Sequence, residues 1–462
     1  MKEQIIRLRP FDELRVEGYR GIKQVNEHAC AEITGMIPFD KMEEYCSQCS
    51  QETWVRVIAC GEEMEYILFY GIVEEVRIEI VNETCMVRMT LKSGTILLDE
   101  KKRIRSFQSP CLCYENLLSV CNEKYKDARV FMTEGQGKAT GQFVMQYQET
   151  DWTFIKRLAS MNNTVAVASS SVYGQKYYFG VPEGKSTIDG EHIEYMIQGN
   201  IDEYWKKRAK GLDIQPTDTM TYIWESREIY ELGDRGVVGG KELIVWKIET
   251  KMKGGLLYHT YYMRTKAGFQ VPLQYNMELC GVSLFGQTVG VRREKVQIEL
   301  NDDENKGQTD KYWFPYATVY SSPDGTGWYC MPEIEDKIRI YFPTEQENDA
   351  YVASAYHEGD GGLRTNPACK FWRNKEGKEI QLSPDKILLT NNNGTYVEFS
   401  DAEGIKMVSE GTVAIEANGG VYLSSRNASI ELDAKEKVAI RQGDTSIDLA
   451  GNLHLSGAQI KL

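Results

Sequence analysis

The sequence predicts a mainly β fold with a minor α component, ending in an intertwined trimeric β-helix (a β-prism) built by three copies of the chain. Three observations carry this expectation. Runs and alternations of β-branched and aromatic residues fill the stretches 1–98, 221–298 and 317–356. Helical spacing of apolar residues is confined to a few short segments. From residue 379 onward, two apolar residues flanking one other recur at intervals mostly of eight or nine, the mark of a stacked architecture.

The first β stretch is clearest in Glu65-Tyr-Ile-Leu-Phe-Tyr-Gly-Ile-Val and Thr84-Cys-Met-Val-Arg-Met-Thr-Leu. Tyr114-Glu-Asn-Leu-Leu-Ser-Val-Cys spaces its apolar residues in threes and fours, which predicts a helix. A second helix is expected from Thr150-Asp151, either of which can cap it, with Trp152, Ile155, Leu158 and Ala159 on one face. Glu203-Tyr-Trp-Lys-Lys-Arg-Ala reads as a third. β character returns in Tyr222-Ile-Trp, Glu242-Leu-Ile-Val-Trp-Lys-Ile and Lys295-Val-Gln-Ile-Glu-Leu. Asn301-Asp-Asp-Glu-Asn-Lys-Gly-Gln is charged and turn-rich, and is expected to be a linker. Short strands between Ala317 and Tyr356, punctuated by Pro323-Asp-Gly and Pro343, suggest a small barrel.

The repeat comprises Ile387/Leu389, Val397/Phe399, Ile405/Met407, Val413/Ile415, Val421/Leu423, Ile430/Leu432, Val438/Ile440, Ile447/Leu449, Leu453/Leu455 and Ile460/Leu462. Each octad is expected to be a short strand and a turn, with both apolar side chains on one face. Two inward residues per eight cannot surround a core within one chain, because a monomeric solenoid coil usually needs about 20 residues or more. Three chains, each giving one octad per layer, supply that circumference. The pairs from Val397/Phe399 to Ile447/Leu449 then form the trimer axis, and Leu453, Leu455, Ile460 and Leu462 an apolar plateau at the tip. A flat antiparallel sheet is the competing arrangement, but it does not account for a fixed octad held this long.

A net charge of −14 and the lack of a basic stripe argue against a nucleic-acid partner. The N-terminus MKEQIIRLRPFDELRVEG has no apolar core of a signal peptide, and no apolar run approaches the ~20 residues that span a bilayer. Synthesis in the cytoplasm is therefore expected. The eleven cysteines are best read as free thiols. Cys46-Ser-Gln-Cys49 with Cys111-Leu-Cys113 could in principle hold zinc, against which CxC is an uncommon zinc spacing and no His joins them.

Chemistry-bearing motifs are scarce. Gly180-Val-Pro-Glu-Gly184-Lys185-Ser186-Thr187 approximates a phosphate loop but is one residue short and contains Pro182, so a β-turn is expected; Gly239-Gly240-Lys241 is weaker still. There is no GxSxG or HExxH. The histidines His28, His192, His259, His357 and His454 are far apart, and the inward beat of Leu453 and Leu455 turns His454 outward. No catalytic residue, cofactor or metal site is assigned, and the protein is not expected to be an enzyme.

The whole chain resembles the VgrG-type, fused hub-and-spike proteins of contractile injection systems: type VI secretion, contractile phage tails and tailocins. Asn26-Glu-His-Ala, Glu32-Ile-Thr-Gly and Phe69-Tyr-Gly-Ile-Val look like a first hub barrel, and Leu98-Asp99 with Arg105-Ser-Phe-Gln108 is similar to the stretch that closes it. The most specific match is Gln146-Tyr-Gln-Glu-Thr-Asp151-Trp152-Thr-Phe154-Ile-Lys-Arg157-Leu158-Ala159, the hub motif. Gly327-Trp328-Tyr-Cys-Met-Pro332-Glu-Ile-Glu335-Asp336 resembles the oligonucleotide-fold (OB-fold) domain that joins hub to needle, with Glu335 where a Gly is usual. The resemblance implies a first hub barrel at 1–105, a helix-containing hub segment at 106–210, a second hub barrel at 211–300, an OB-fold domain at 301–372 and a trimeric spike at 373–462. It also implies a homotrimer whose six hub barrels match a hexameric Hcp-like inner tube, with baseplate proteins, a PAAR-type cap on the tip and effectors as further partners. The needle would meet the target membrane only transiently, leaving the cell or entering the target envelope on contraction. No lysozyme domain fits between Tyr356 and Glu379, and no effector domain is expected after Leu462. A polysaccharide-active β-solenoid enzyme and a receptor-binding fibre are the other functional classes this sequence admits.

Overall fold

The computed structural model of the chain describes residues 5–49, 53–61, 64–81, 84–190, 193–359, 362–456 and 458–459, without side chains for Val81, His454, Leu455 and Ser456. It divides into two compact units, 1–358 and 359–462.

Strands with one apolar face build the main sheet of the first unit, which has 12 strands among the described residues. Its path runs Ile5–Arg9, Trp54–Cys60, Glu65–Val81, Thr84–Ser93, Cys30–Ile37, Arg15–Gln24, Lys241–Lys253, Leu256–Arg264, Thr221–Ser226 and Met196–Gln198. The two expected hub barrels therefore share one sheet. They meet where Arg15–Gln24 pairs antiparallel with Lys241–Lys253, Gly21 opposite Thr250. Each half keeps its own core, one around Leu8, Val57, Phe69 and Met89, the other around Trp224, Val245, Tyr261 and Met263.

Between these halves lies the helix-containing segment. Helices Tyr114–Asn122 and Asp151–Met161 form as their apolar spacing predicts, and Thr150 is the cap, its hydroxyl accepting from Thr153 N at 3.3 Å. Both helices bury their apolar stripes together with Phe107, Tyr177 and Phe179. The third helix, Ile201–Ala209, begins two residues before the expected start, capped by Asn200. The short helix Met42–Gln48 was not legible: it buries only Tyr45, too little for a periodic signal.

The small barrel corrects two expectations. Its five strands run in the order Phe314–Pro315, Lys295–Leu300, Ser283–Arg292, Lys337–Tyr341 and Tyr351–Ala355. Strands 283–300, expected in the second hub barrel, belong here. Val296, Ile298 and Leu300 alternate into a core with Phe314, Ile340 and Phe342, and alternation predicts a strand without saying which sheet it joins. Nor is 301–308 a free linker. Asp303 is 5% exposed, and its carboxylate accepts from Ser106 N at 3.0 Å and from the Ser106 hydroxyl.

The second unit starts its sheet at Lys370, ahead of the expected boundary at 373. Lys370–Arg373, Glu379–Leu382, Lys386–Thr390, Tyr396–Ser400 and Gly404–Val408 form an antiparallel meander, followed later by Val438–Gln442, Thr445–Ala450 and Asn452–Ser456. Between 409 and 437 no described residue lies in a strand, so the octads at Val413/Ile415, Val421/Leu423 and Ile430/Leu432 are not strands within the single chain.

Candidate functional site: a buried polar joint and an uncovered apolar ladder

The segment Gln146–Ala159 and the stretches around Asp99 and Arg105–Gln108 converge on one buried joint. Asp151, at the first position of its helix, is fully buried. Its carboxylate accepts from Arg105 Nη1 at 2.6 Å, Gln146 Nε2 at 3.1 Å and Tyr125 Oη at 3.0 Å. Trp152 and Phe154 pack inward beside it, Phe154 against Phe107 with ring centroids 5.6 Å apart and Leu158 in the same core.

Arg157 faces the other way, toward the small barrel. Its Nε and Nη2 donate to Glu149 at 2.9 and 2.8 Å, Nη1 to Glu347 Oε1 at 2.6 Å, and Nη2 to Met145 O at 2.7 Å. Burial opposes the Arg157 charge, but Glu149 and Glu347 outweigh it and hold the guanidinium protonated. For Glu149 burial wins over the attraction of Arg157, and its carboxyl is pushed up. Phe143 and Met145, from the strand before the helix or beside it, enter the small-barrel core itself. Glu304 adds a further tie, accepting from Lys124 Nζ at 2.6 Å and Arg103 Nη1 at 3.3 Å. The helix-containing segment and the small barrel are thus joined by shared core and by charge-assisted bonds.

His28 also belongs to the joint, which sequence reasoning missed. Its ring stacks on Trp152 at 5.1 Å. Nε2 lies 2.7 Å from Asp99 Oδ2 and Nδ1 2.7 Å from Thr95 Oγ1. Burial would raise the Asp99 carboxyl, but hydrogen bonds from His28 and Thr150 outweigh it and hold it below the usual range. Hydroxyl, imidazole and carboxylate stand here in the order of a nucleophilic triad. Thr95 is fully buried, however, so the arrangement offers no reachable nucleophile and works as a brace. The residues His28 and Asp99 were visible only as parts of family-like stretches, 71 positions apart.

In the small barrel, Pro332 is buried and Asp336 Oδ2 accepts from Glu333 N at 2.7 Å, closing the turn that leads into Lys337–Tyr341. Glu335 keeps the left-handed conformation of the usual glycine, at φ 74°. Trp328 is 67% exposed; its backbone N donates to Tyr320 O at 2.9 Å. At the phosphate-loop look-alike, the amides of Lys185 and Ser186 donate to Asp234 Oδ1 at 2.8 and 3.0 Å, so a carboxylate of the chain itself takes the place of an anion. Cys46 and Cys111 are exposed, and among the described residues no group of three or more His, Cys, Asp or Glu is placed to hold a metal.

The second unit presents the opposite situation: apolar residues aligned but uncovered. Ladder register puts Ile380 opposite Leu389, Leu389 opposite Val397 and Val397 opposite Met407. A second column runs through Leu382, Ile387, Phe399 and Ile405. Further on, Val438 pairs Leu449 and Ile440 pairs Ile447. Ile405 is 71% exposed and Ile415 70%; Met407, Val413, Val421, Leu423, Ile430, Leu432, Ile440 and Leu449 are exposed as well, while Val397, Val438 and Ile447 are half-covered. No described residue covers these columns. Of the tip residues Leu453 is exposed, the Leu455 and His454 side chains are not described, and Ile460 and Leu462 lie outside the described residues.

No family model matches the sequence, and no curated protein matches it. Solved structures do. One is the E. coli c3393 protein, a component of the type VI secretion system with structural similarity to the T4 bacteriophage tail proteins gp27 and gp5. It is 11% identical, with TM-score 0.54 over 76% of this chain and 99% of that one. Chains of the Francisella PdpA–VgrG complex are 9% identical: half-lidded, TM-score 0.57 over 88% of each chain; lidless, 0.55 over 88% and 98%. The chain therefore shares the fold of these type VI secretion and VgrG proteins. As in those structures, one polypeptide carries the large two-core sheet, the small barrel and the meander strands of the second unit.

Proposed function

We propose that the protein is the structural hub-spike of a contractile injection machine, connecting a hexameric, Hcp-like inner tube and the baseplate to a puncturing tip. The observation that carries this is the uncovered ladder of the second unit. Two aligned apolar columns cannot stay in water over such a length, and backbone groups between 409 and 437 need hydrogen-bond partners that this chain does not offer them in strands. Two further copies supply both: apolar pairs meet on a common axis, and strands pair between chains with no open edge along the shaft. The c3393 and PdpA–VgrG likenesses support the same reading.

In this reading the hub spans the residues before about 283, the small barrel 283–356, and the spike the strands from Lys370 onward. Thrust passes from hub to small barrel through Arg157, Glu347 and Asp303. The tip plateau at Leu453, Leu455, Ile460 and Leu462 takes a PAAR-type cap, effectors ride as cargo, and the target membrane is met only in passing. The protein assembles in the cytoplasm and leaves the cell on contraction. It is not an enzyme and needs no cofactor. Deleting its gene in the producing cell should leave sheath and tube proteins expressed but abolish delivery into target cells; undiminished delivery would refute the reading.

A further inference from the structure

One row of the hub sheet crosses from the first core to the second. On the strand Leu256–Arg264, Leu257 packs in the first core and Tyr261 in the second. Between them, on the same face, sits the polar ring of His259, 2% exposed. Register sets His259 opposite Thr250, and Thr250 opposite Gly21, so the imidazole stands in the row that joins the two hub halves.

Its surroundings suit only the neutral ring. Nδ1 lies 2.8 Å from Thr250 Oγ1, whereas Nε2 is buried without a hydrogen-bond partner among the described residues. The Tyr261 ring stacks at 6.0 Å. From Arg15–Gln24 the facing charge is Lys23, whose Nζ is 2.8 and 2.9 Å from the carboxylate oxygens of Glu231. The Tyr19 hydroxyl fills the space above Gly21, where an added Cβ would lie 2.7 Å away. Burial keeps the Tyr19 phenol protonated.

We propose that His259 is an acid-sensitive pin, which holds the seam between the hub halves while neutral and loosens it on taking a proton. A protonated ring would set a second N–H in an apolar row with no acceptor, beside the Lys23 cation. Burial first, and Lys23 second, hold its pKa down to about 4 from the ordinary 6.5. An opened seam takes the proton from 6.5 downward and a closed one only near 4. The stabilisation is therefore complete above pH 6.5 and lost as pH falls toward 4, with a ceiling of roughly 300-fold in the opening equilibrium.

The inference rests on the hub fold and holds whether or not the needle is trimeric. Hydrogen exchange of the full chain, corrected for intrinsic rates, tests it in peptides covering Arg20–Gln24 and Lys247–Lys251. Between pH 7.5 and pH 5 the wild type should open roughly 30-fold more often. His259→Phe should abolish that increase, and Lys23→Met, with one repelling cation gone, should move its midpoint to higher pH. Equal pH dependence in wild type and His259→Phe overturns the proposal. If His259→Phe does not fold, an unmoved midpoint in Lys23→Met overturns it instead.

Discussion

Replacing Arg157 by Met tests the joint most severely. The Arg157 side chain is 4% exposed, Glu149 7% and Glu347 4%, so the whole cluster lies away from water. The substitution strands two carboxylates and the Met145 carbonyl in that space. Removing one partner of a buried ion pair costs about 3–5 kcal/mol, and two anions left facing each other put this case in the upper half, about 4 kcal/mol. The stranded groups can escape only by binding protons. Burial and the neighbouring Glu347 already raise the Glu149 carboxyl, and losing Arg157 raises it further. A folded-state pKa above the unfolded one makes the penalty full at neutral pH and relieves it as pH falls through the folded value. Urea unfolding followed by tryptophan fluorescence, at fixed protein concentration, should show the loss at pH 7.5 and a clearly smaller one at pH 5. Replacing Glu149 and Glu347 by Leu in the same variant should recover most of it. A loss under about 1 kcal/mol at pH 7.5, or one indifferent to pH, would refute this account of the joint.

Other expectations concern the shaft, the turn and the brace. Val413→Asp places three carboxylates on the proposed axis without partners, so trimer recovered by size-exclusion chromatography should collapse; a normal yield would show that Val413 faces out. Glu335→Gly removes a left-handed non-glycine residue, a strain of about 1–2 kcal/mol, offset by unfolded-state entropy of about 0.5–1 kcal/mol. Melting should move up, and a drop would mean that Glu335 makes a contact stronger than its strain. Asp99 has its carboxyl held low, so its stabilisation is present above its unfolded value near 3.8 and lost as pH falls through the folded one. Asp99→Asn should be less stable at pH 7 and lose less on acidification below pH 4; parallel acid curves would remove Asp99 from the brace.

Periodicity made part of the second unit legible: Ile387, Leu389, Val397 and Phe399 lie on paired strands in aligned columns, whereas the octads between 409 and 437 are not strands in the single chain. The helix Asp151–Met161 was legible for a similar local reason, a cap followed by a 3.6-residue apolar stripe. What stayed hidden was long-range. Nothing near Arg157 announces Glu347, 190 positions away, and nothing in Asn301–Gln308 distinguishes a solvated linker from a loop whose Asp303 is buried against Ser106. Polar residues in a turn look the same in either setting until the other surface is known. Sheet membership was hidden likewise: Lys295–Leu300 alternates as a strand must, while Lys337–Tyr341, far along the chain, enters the same sheet by pairing with Ser283–Arg292. The brace formed by His28, Thr95 and Asp99 escaped because its parts carry no spacing of their own.

Light scattering on the purified chain tests most directly whether three copies share one apolar centre. A particle of three times 52.8 kDa that persists on dilution is the expected result. A stable, soluble species of one times that mass, with its apolar columns folded away inside a lone molecule, would contradict it.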